Sequence, residues 1–265
     1  MTASPPLLCA AVLDINAHIL PGIHAATPDA DASVAAAARL AASGVQRAVA
    51  PALIGDDPGA ALAAADQARE VLQQALADVD APLQLLPGAV VPLAQIPALE
   101  PSVLGRCTVG GGGRWLIATL PDAGWPLDIG SIIDGLQLAG LGLVLAHPEH
   151  AEAVQLSPDR LRDVLGRGAL VQLAAGSLDG VHGARAERTA FDLLRNGMVT
   201  VVASDAPSRT GHSLDLAVAL DVLERVLRRP RDEVAWMLST GPERIAAGEP
   251  VRAPRLVPQP RTAPG

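Results

Sequence analysis

Asp14-Ile15-Asn16-Ala17-His18-Ile19-Leu20-Pro21-Gly22-Ile23 closes the first apolar run of the chain and turns at Pro21-Gly22. Side chains two apart on an extended strand share a face, so Asn16 and His18 leave the strand end side by side. Two histidines at that spacing aim both imidazoles at one cation. Here the first position is asparagine, whose neutral amide oxygen is a weaker ligand suited to hard metals.

Further along, short apolar runs at 46–50, 83–86 with 90–91, 115–119, 142–146, 169–173 and 199–203 join the first, at 11–15, as strand-like segments. Helical patterns lie between them at 30–42, 58–77, 127–139, 158–167 and 184–196, with two more at 212–227 and 231–239. Gly44, Gly168 and Gly197 stand just past helix ends, and Ser157-Pro158 reads as an N-cap followed by proline in the first turn. Strands alternating with helices imply parallel βαβ units, hence a barrel or a doubly wound sheet. The spacing of chemistry-bearing residues just after strands favours the barrel, whose sites form at the carboxyl ends of its strands. The domain expected is a single barrel over 1–249, followed by a Pro- and Arg-rich tail, 250–265, that buries little and reads as disordered.

Composition narrows the function. With 265 residues and 49% hydrophobic content, the chain can build one large core, but with one Phe and no Tyr that core must be made of Ala, Leu and Val. All 20 basic residues are arginine, so the Gly110–Gly113 run lacks the lysine of a phosphate-binding loop and reads as a flexible connection. A net charge of −8 argues against nucleic acid and anionic membranes as partners. Cys9 and Cys107 form no framework and suit a reducing cytosol. The apolar stretch 5–13 has no basic residue before it and is too short to span a bilayer, so a cytoplasmic protein without membrane insertion is expected.

Two later strand ends carry chemistry: His147-Pro148-Glu149-His150 and Ser204-Asp205-Ala206-Pro207. Taken singly, the first is a turn histidine and the second an Asx turn or helix cap. Their placement after strands of the same barrel as His18 raises the metal reading. His24 and His150 read as rim residues or replacement ligands, with His150 also a substrate-binding candidate. His182 and His212 open helical segments and read as solvated or capping, and Arg185, Arg188 and Arg209 as exposed cations.

These words together resemble the PHP-domain (polymerase and histidinol phosphatase) family. More closely, they are similar to its bacterial manganese-dependent protein-tyrosine phosphatases of capsule and exopolysaccharide biosynthesis, the CpsB/YwqE type. Besides the opening run, Leu86-Pro87-Gly88, Ala146-His147-Pro148-Glu149, Ala175-Gly176-Ser177-Leu178 and Ala203-Ser204-Asp205-Ala206 carry the likeness, which extends over about 13–251. The resemblance implies a distorted (β/α)7 TIM-like barrel, the PHP fold. It also implies phosphomonoester hydrolysis at a cluster of Mn2+, or of Fe or Zn, in which metal-bound water is the nucleophile.

Carried over residue by residue, His18, His147 and Asp205 remain as metal ligands, with Asn16 and His24 as assisting ones, and Asp205 and His147 are the best catalytic candidates. The remaining expected ligands are replaced. Val90 and Thr119 stand where glutamates are expected, Ala52, Leu53 or Ile54 where histidines are expected after the second strand, His24-Ala25 where an aspartate pair is expected, Pro207 where a histidine is, and His150 where an arginine is. A cluster of divalent cations without bridging carboxylates is held apart by its own repulsion.

The expected function is therefore a regulatory or binding pseudoenzyme with impaired protein-tyrosine phosphatase activity and without a full metal complement. Its partner would be a bacterial tyrosine kinase or a polysaccharide-export component, and a homo-oligomer is compatible with the chain. The alternatives are an active phosphatase with a reduced site at His18, His147 and Asp205, and a one-metal amidohydrolase-like hydrolase.

Overall fold

The computed structural model describes residues 12–206 and 216–251. The readings made above for Cys9, Pro207, Arg209, His212 and the tail beyond Val251 lie outside those residues. Nine parallel strands follow one another: β1 (Val12–Asp14), β2 (Val45–Val49), β3 (Ala52–Leu53), β4 (Gln84–Leu86), β5 (Ala89–Pro92), β6 (Trp115–Thr119), β7 (Gly142–Ala146), β8 (Leu170–Ala174) and β9 (Val201–Ala203). They form two open sheets, one ordered β1-β2-β4 and the other β3-β5-β6-β7-β8-β9.

The sequence predicts seven strands closing into one barrel, and the structure departs from this in an instructive way. Beyond the second run a further strand, β3, follows Pro51, and the third run divides at Pro87-Gly88 into β4 and β5, which join different sheets. Proline offers no N–H to a ladder. Pairing flanks the breaks, Ala50 N donating to Leu86 O at 3.0 Å before them and Ala52 N to Gly88 O at 2.9 Å after Pro51. No ladder joins β9 to β1 among the described residues; the two strand ends meet through hydrogen bonds of their loops.

Alternation along the strands builds two cores. Leu13, Val49, Val90, Ile117, Val144, Leu170 and Val201 meet in an inner cluster, while Val12, Val91, Leu116, Leu145, Val171 and Val202 face the helices. The helices are α1 (Ala30–Ala42), α2 (Pro58–Asp78), α3 (Pro101–Arg106), α4 (Ile129–Leu138), α5 (Glu152–Leu156), α6 (Arg160–Gly166), α7 (Ala184–Arg195), α8 (Leu216–Leu227), α9 (Arg231–Ala235) and α10 (Thr240–Ala246). Capping sets two of the starts: Asp29 accepts from Ala32 N and Asp57 from Ala60 N, each at 2.9 Å. The start expected at Ser157-Pro158 moves on to Arg160, because Ser157 O instead accepts from Arg160 N in a preceding turn.

The glycine run 110–113 is a packed corner, contrary to the flexible connection expected. A Cβ on Gly112 would stand 2.6 Å from Gly248 N and also meet the Ala246 carbonyl, so only glycine lets α10 close on this turn. Ile245 and Ala246 of α10 join the inner cluster, closing the end of the fold opposite the strand carboxyl ends. No described helix is long and apolar enough to cross a membrane.

Candidate functional site

The ends of β1 and β9 are stitched together by buried polar groups. Asp14, fully buried, accepts hydrogen bonds from Asn16 N and Ser204 N, each at 3.2 Å, and from the Ser204 hydroxyl. Burial raises the Asp14 carboxyl, and the bonds from Ser204 and Asn16 work against that rise. One residue on, Asp205 N donates to Asn16 O at 3.1 Å. Asp205 holds φ at 53°, a left-handed conformation that aspartate tolerates better than most residues. Its carboxylate is thereby brought to the side chains expected around it.

Asp205 Oδ1 is the hub of the site. It accepts from Asn16 Nδ2 at 3.2 Å and stands 3.1 Å from His18 Nε2 and 4.0 Å from His147 Nε2. The structure thus places the side chains of His18, His147 and Asn16 around Asp205. Burial acts to raise the Asp205 carboxyl, but His147, the bond from His18 and His150 outweigh it and hold the group well below the usual carboxylate range. Because the carboxylate only accepts, His18 Nε2 carries a hydrogen. His24 Nδ1 lies 3.2 Å from His18 Nδ1, so one of the two nitrogens donates to the other. His24 is a buried residue and not the rim residue expected, and burial, followed by the His18 charge, pushes it down to about 3.

On the other side, β7 ends at His147, which holds φ at 35° and donates its backbone N–H to Gln172 O at 2.8 Å. Burial lowers its imidazole, with Asp205 opposing. A short 3-10 turn, Pro148–His150, then drives Glu149 into the core. Glu149 Oε1 accepts from Ala174 N at 3.0 Å and from Ser177 Oγ at 2.8 Å, whereas Oε2 has no hydrogen-bond partner. Burial pushes this carboxyl up to about 8 against those bonds. Ser177 Oγ lies 3.0 Å from His150 Nε2. Burial, then His147 and His182, push His150 down to about 3.

Five of the chain's six histidines gather here. His147 and His150 stack at 4.9 Å between ring centroids with 23° between planes, and His182 tilts against His150 at 4.4 Å. His182 is therefore part of the site, where the sequence suggests only a solvated or capping residue. Gly176 makes its place: a Cβ there would stand 2.9 Å from His182 Nε2. Sequence reasoning also missed Asp14, Glu149, Gln172 and Ser177 as polar parts of the site. Their signal was the family-like words around them, which mark buried polar residues as well as ligands.

The residues do not fit a cluster of metal ions as they stand. Val90 is buried in the inner cluster, and Thr119 ends β6 beside His147. Among the described residues, no three His, Cys, Asp or Glu side chains are placed to hold one ion. His18 offers Asp205 a hydrogen where a metal needs a lone pair, and Asp205 Oδ1 is already engaged by Asn16. Divalent ions would in addition need several carboxylates to offset their repulsion.

Comparison with known proteins places this site in context. The family model described as capsular polysaccharide synthesis, CpsB/CapC, matches residues 12–245. The tyrosine-protein phosphatase YwqE of Bacillus subtilis is 27% identical over 255 residues, covering 94% of this chain and 96% of that protein. Crystal structures of YwqE from Bacillus subtilis and CpsB from Streptococcus pneumoniae, called unique metal-dependent tyrosine phosphatases, include a chain matching at a TM-score of 0.79 and 24% identity, over 94% of this chain and 100% of that one. A β-aspartyl dipeptidase from Fervidobacterium islandicum shares the fold more loosely, with a TM-score of 0.52 and 12% identity over 89% of this chain and 72% of its own.

Proposed function

Because the chain belongs to the CpsB/CapC family of capsular polysaccharide synthesis, we propose that it serves that process as a binding or regulatory member, without the multi-metal phosphomonoester hydrolysis of metal-dependent relatives. One observation carries the reading. Asp205 Oδ1, at the hub of the site, is engaged by Asn16 and His18, while Val90 and Thr119 occupy the places where the resemblance expects bridging glutamates. With His24, His147 and His150 pushed by burial towards their neutral forms around one anion, the pocket suits ligand recognition; it does not concentrate the positive charge that developing phosphoryl negative charge requires. The reading places the protein in the cytoplasm, partnered by a tyrosine kinase or a polysaccharide-export component and open to self-association.

The test is direct. Protein purified without chelator is assayed for bound Mn, Fe and Zn and for hydrolysis of a phosphotyrosine peptide and p-nitrophenyl phosphate. The expected result is metal well below one equivalent and no turnover above background in a folded protein. Stoichiometric metal with turnover abolished by Asp205→Ala overturns the proposal. That outcome would support a second reading, a reduced one-ion phosphatase, which is favoured by the approach of His18 Nε2 and His147 Nε2 to the same Asp205 oxygen.

A further inference from the structure

Helix α7 finishes on Asn196-Gly197, far in the sequence from the strand ends that build the site. In an Asn-Gly step the peptide nitrogen of the glycine can reach the asparagine side-chain carbonyl carbon, because glycine carries no Cβ to stand in the way. Asn196 is exposed, so water has access to it. The chain's only other asparagine, Asn16, is buried and precedes Ala17.

The helix end explains why this pair stands here. Gly197 takes φ at 64°, the left-handed conformation that closes a helix. Its N–H donates to Leu194 O at 3.0 Å, and Met198 N donates to Leu193 O at 3.0 Å. Asn196 is the C-cap, at φ −90° and ψ 3°. Its amide is held at both atoms: Nδ2 donates back along the helix to Asp192 O at 2.8 Å, and Oδ1 accepts from Arg162 Nη2 at 3.3 Å. Attack requires the Gly197 nitrogen to leave Leu194 O and the Asn196 side chain to swing away from Asp192 O and Arg162. The closed cap therefore opposes the reaction and an opened cap permits it. Helix ends open far more readily than the body of a fold.

We infer that Asn196 is a modification site, converted slowly to aspartate and isoaspartate at a rate set by the opening of the α7 C-cap. The Gly197 nitrogen bonds to Asn196 Cγ and gives up its proton. The Cγ–Nδ2 bond breaks, and the side-chain nitrogen leaves with that proton as ammonia. Water then opens the cyclic imide at either carbonyl, returning a normal aspartyl link or one routed through the side chain. The second product adds a methylene to the backbone between α7 and β9 and breaks the spacing on which the bonds of Gly197 N and Met198 N depend. Either product puts a carboxylate at the end of α7, where the helix dipole disfavours negative charge, with Arg162 Nη2 as the cation beside it.

The test keeps the full chain at neutral pH for weeks, folded in buffer or unfolded in urea. Samples are digested and read by mass spectrometry for amide-to-acid conversion, and isoaspartate is counted with an isoaspartate methyltransferase. In the folded chain, conversion is expected at Asn196 and not at Asn16. The unfolded chain is expected to convert Asn196 about tenfold faster or more, because the closed cap withholds the reactive conformation. Arg162→Ala, at an exposed position, frees Oδ1 and is expected to speed conversion several-fold in the folded chain while leaving the unfolded rate unchanged. The inference is overturned if Asn196 of the folded chain remains an amide after the unfolded chain has converted. It is equally overturned if folded and unfolded chains convert at one rate, or if Arg162→Ala leaves the folded rate unchanged or lowers it. Should that variant fail to fold, the ratio of folded to unfolded rates in the unaltered chain decides alone.

Discussion

Replacing Glu149 by glutamine should flatten a fall in stability between pH 6.5 and 8. A carboxyl raised in the folded state keeps its proton after the unfolded chain has lost it, so stability declines as pH rises from the unfolded value towards the folded one. For Glu149 that window runs from 4.5 to about 8. His24 and His150, each lowered from 6.5 to about 3, act in the opposite sense, because they must take up protons on unfolding below pH 6.5. Above pH 6.5 their contribution levels off and Glu149 dominates.

At about 1.4 kcal/mol per pH unit for one proton, the loss from pH 6.5 to 8 is about 2 kcal/mol. With a urea m-value of about 3 kcal/mol/M, the unfolding midpoint falls by about 0.7 M. Glutamine keeps an oxygen for Ala174 N and Ser177 Oγ and places its amide nitrogen at the unpartnered Oε2, at a cost that does not vary with pH. Urea titrations at constant ionic strength, followed by the fluorescence of Trp115, Trp125 and Trp236, measure both proteins. An unaltered protein whose midpoint holds or rises over this interval refutes the reasoning, as does a Glu149→Gln variant that falls in parallel.

At the seam between β1 and β9, Asp14→Ala leaves Asn16 N, Ser204 N and the Ser204 hydroxyl without their acceptor and should cost about 3 kcal/mol or more in chemical denaturation. Asp14→Asn, which keeps an oxygen for both backbone donors, should cost about 1 kcal/mol; equal costs would remove the hydrogen bonds as the cause. Gly112→Ala presses a methyl group against the backbone of Ala246 and Gly248, so a loss of about 1–3 kcal/mol and a change in Trp115 emission are expected, since Trp115 donates to Glu249 O at 2.8 Å. A neutral result would mean that this corner yields freely. Asn16→His restores a histidine pair without restoring any carboxylate, so elemental analysis should still find less than one equivalent of manganese and the phosphatase assay no turnover; loading with two ions would refute the charge argument.

Much of this was legible before any coordinates. Strands 115–119 and 142–146 and helix 30–42 coincide with β6, β7 and α1, because apolar runs and Gly or Pro punctuation act locally. The breaks at Pro51 and Pro87 were visible as prolines, but their effect depends on which neighbouring strand would have needed the missing N–H. Helices α3 and α10 were missed: short, with Gly or Pro inside, they are held by packing against the body of the fold more than by their own propensity.

The alternation of strand and helix patterns pointed to parallel α/β organisation, and the opening run Asp14 to His18, with the strand ends at His147 and Asp205, to the family, because side-chain type and strand spacing are properties of the chain alone. That Asp205 stands beside His18, His147 and Asn16, that Glu149 is buried behind Ser177, and that His182 packs on His150 over Gly176 were decided only by the tertiary structure. Those features depend largely on partners distant in the sequence and on burial, which changes the protonation of groups whose local sequence looks the same in water.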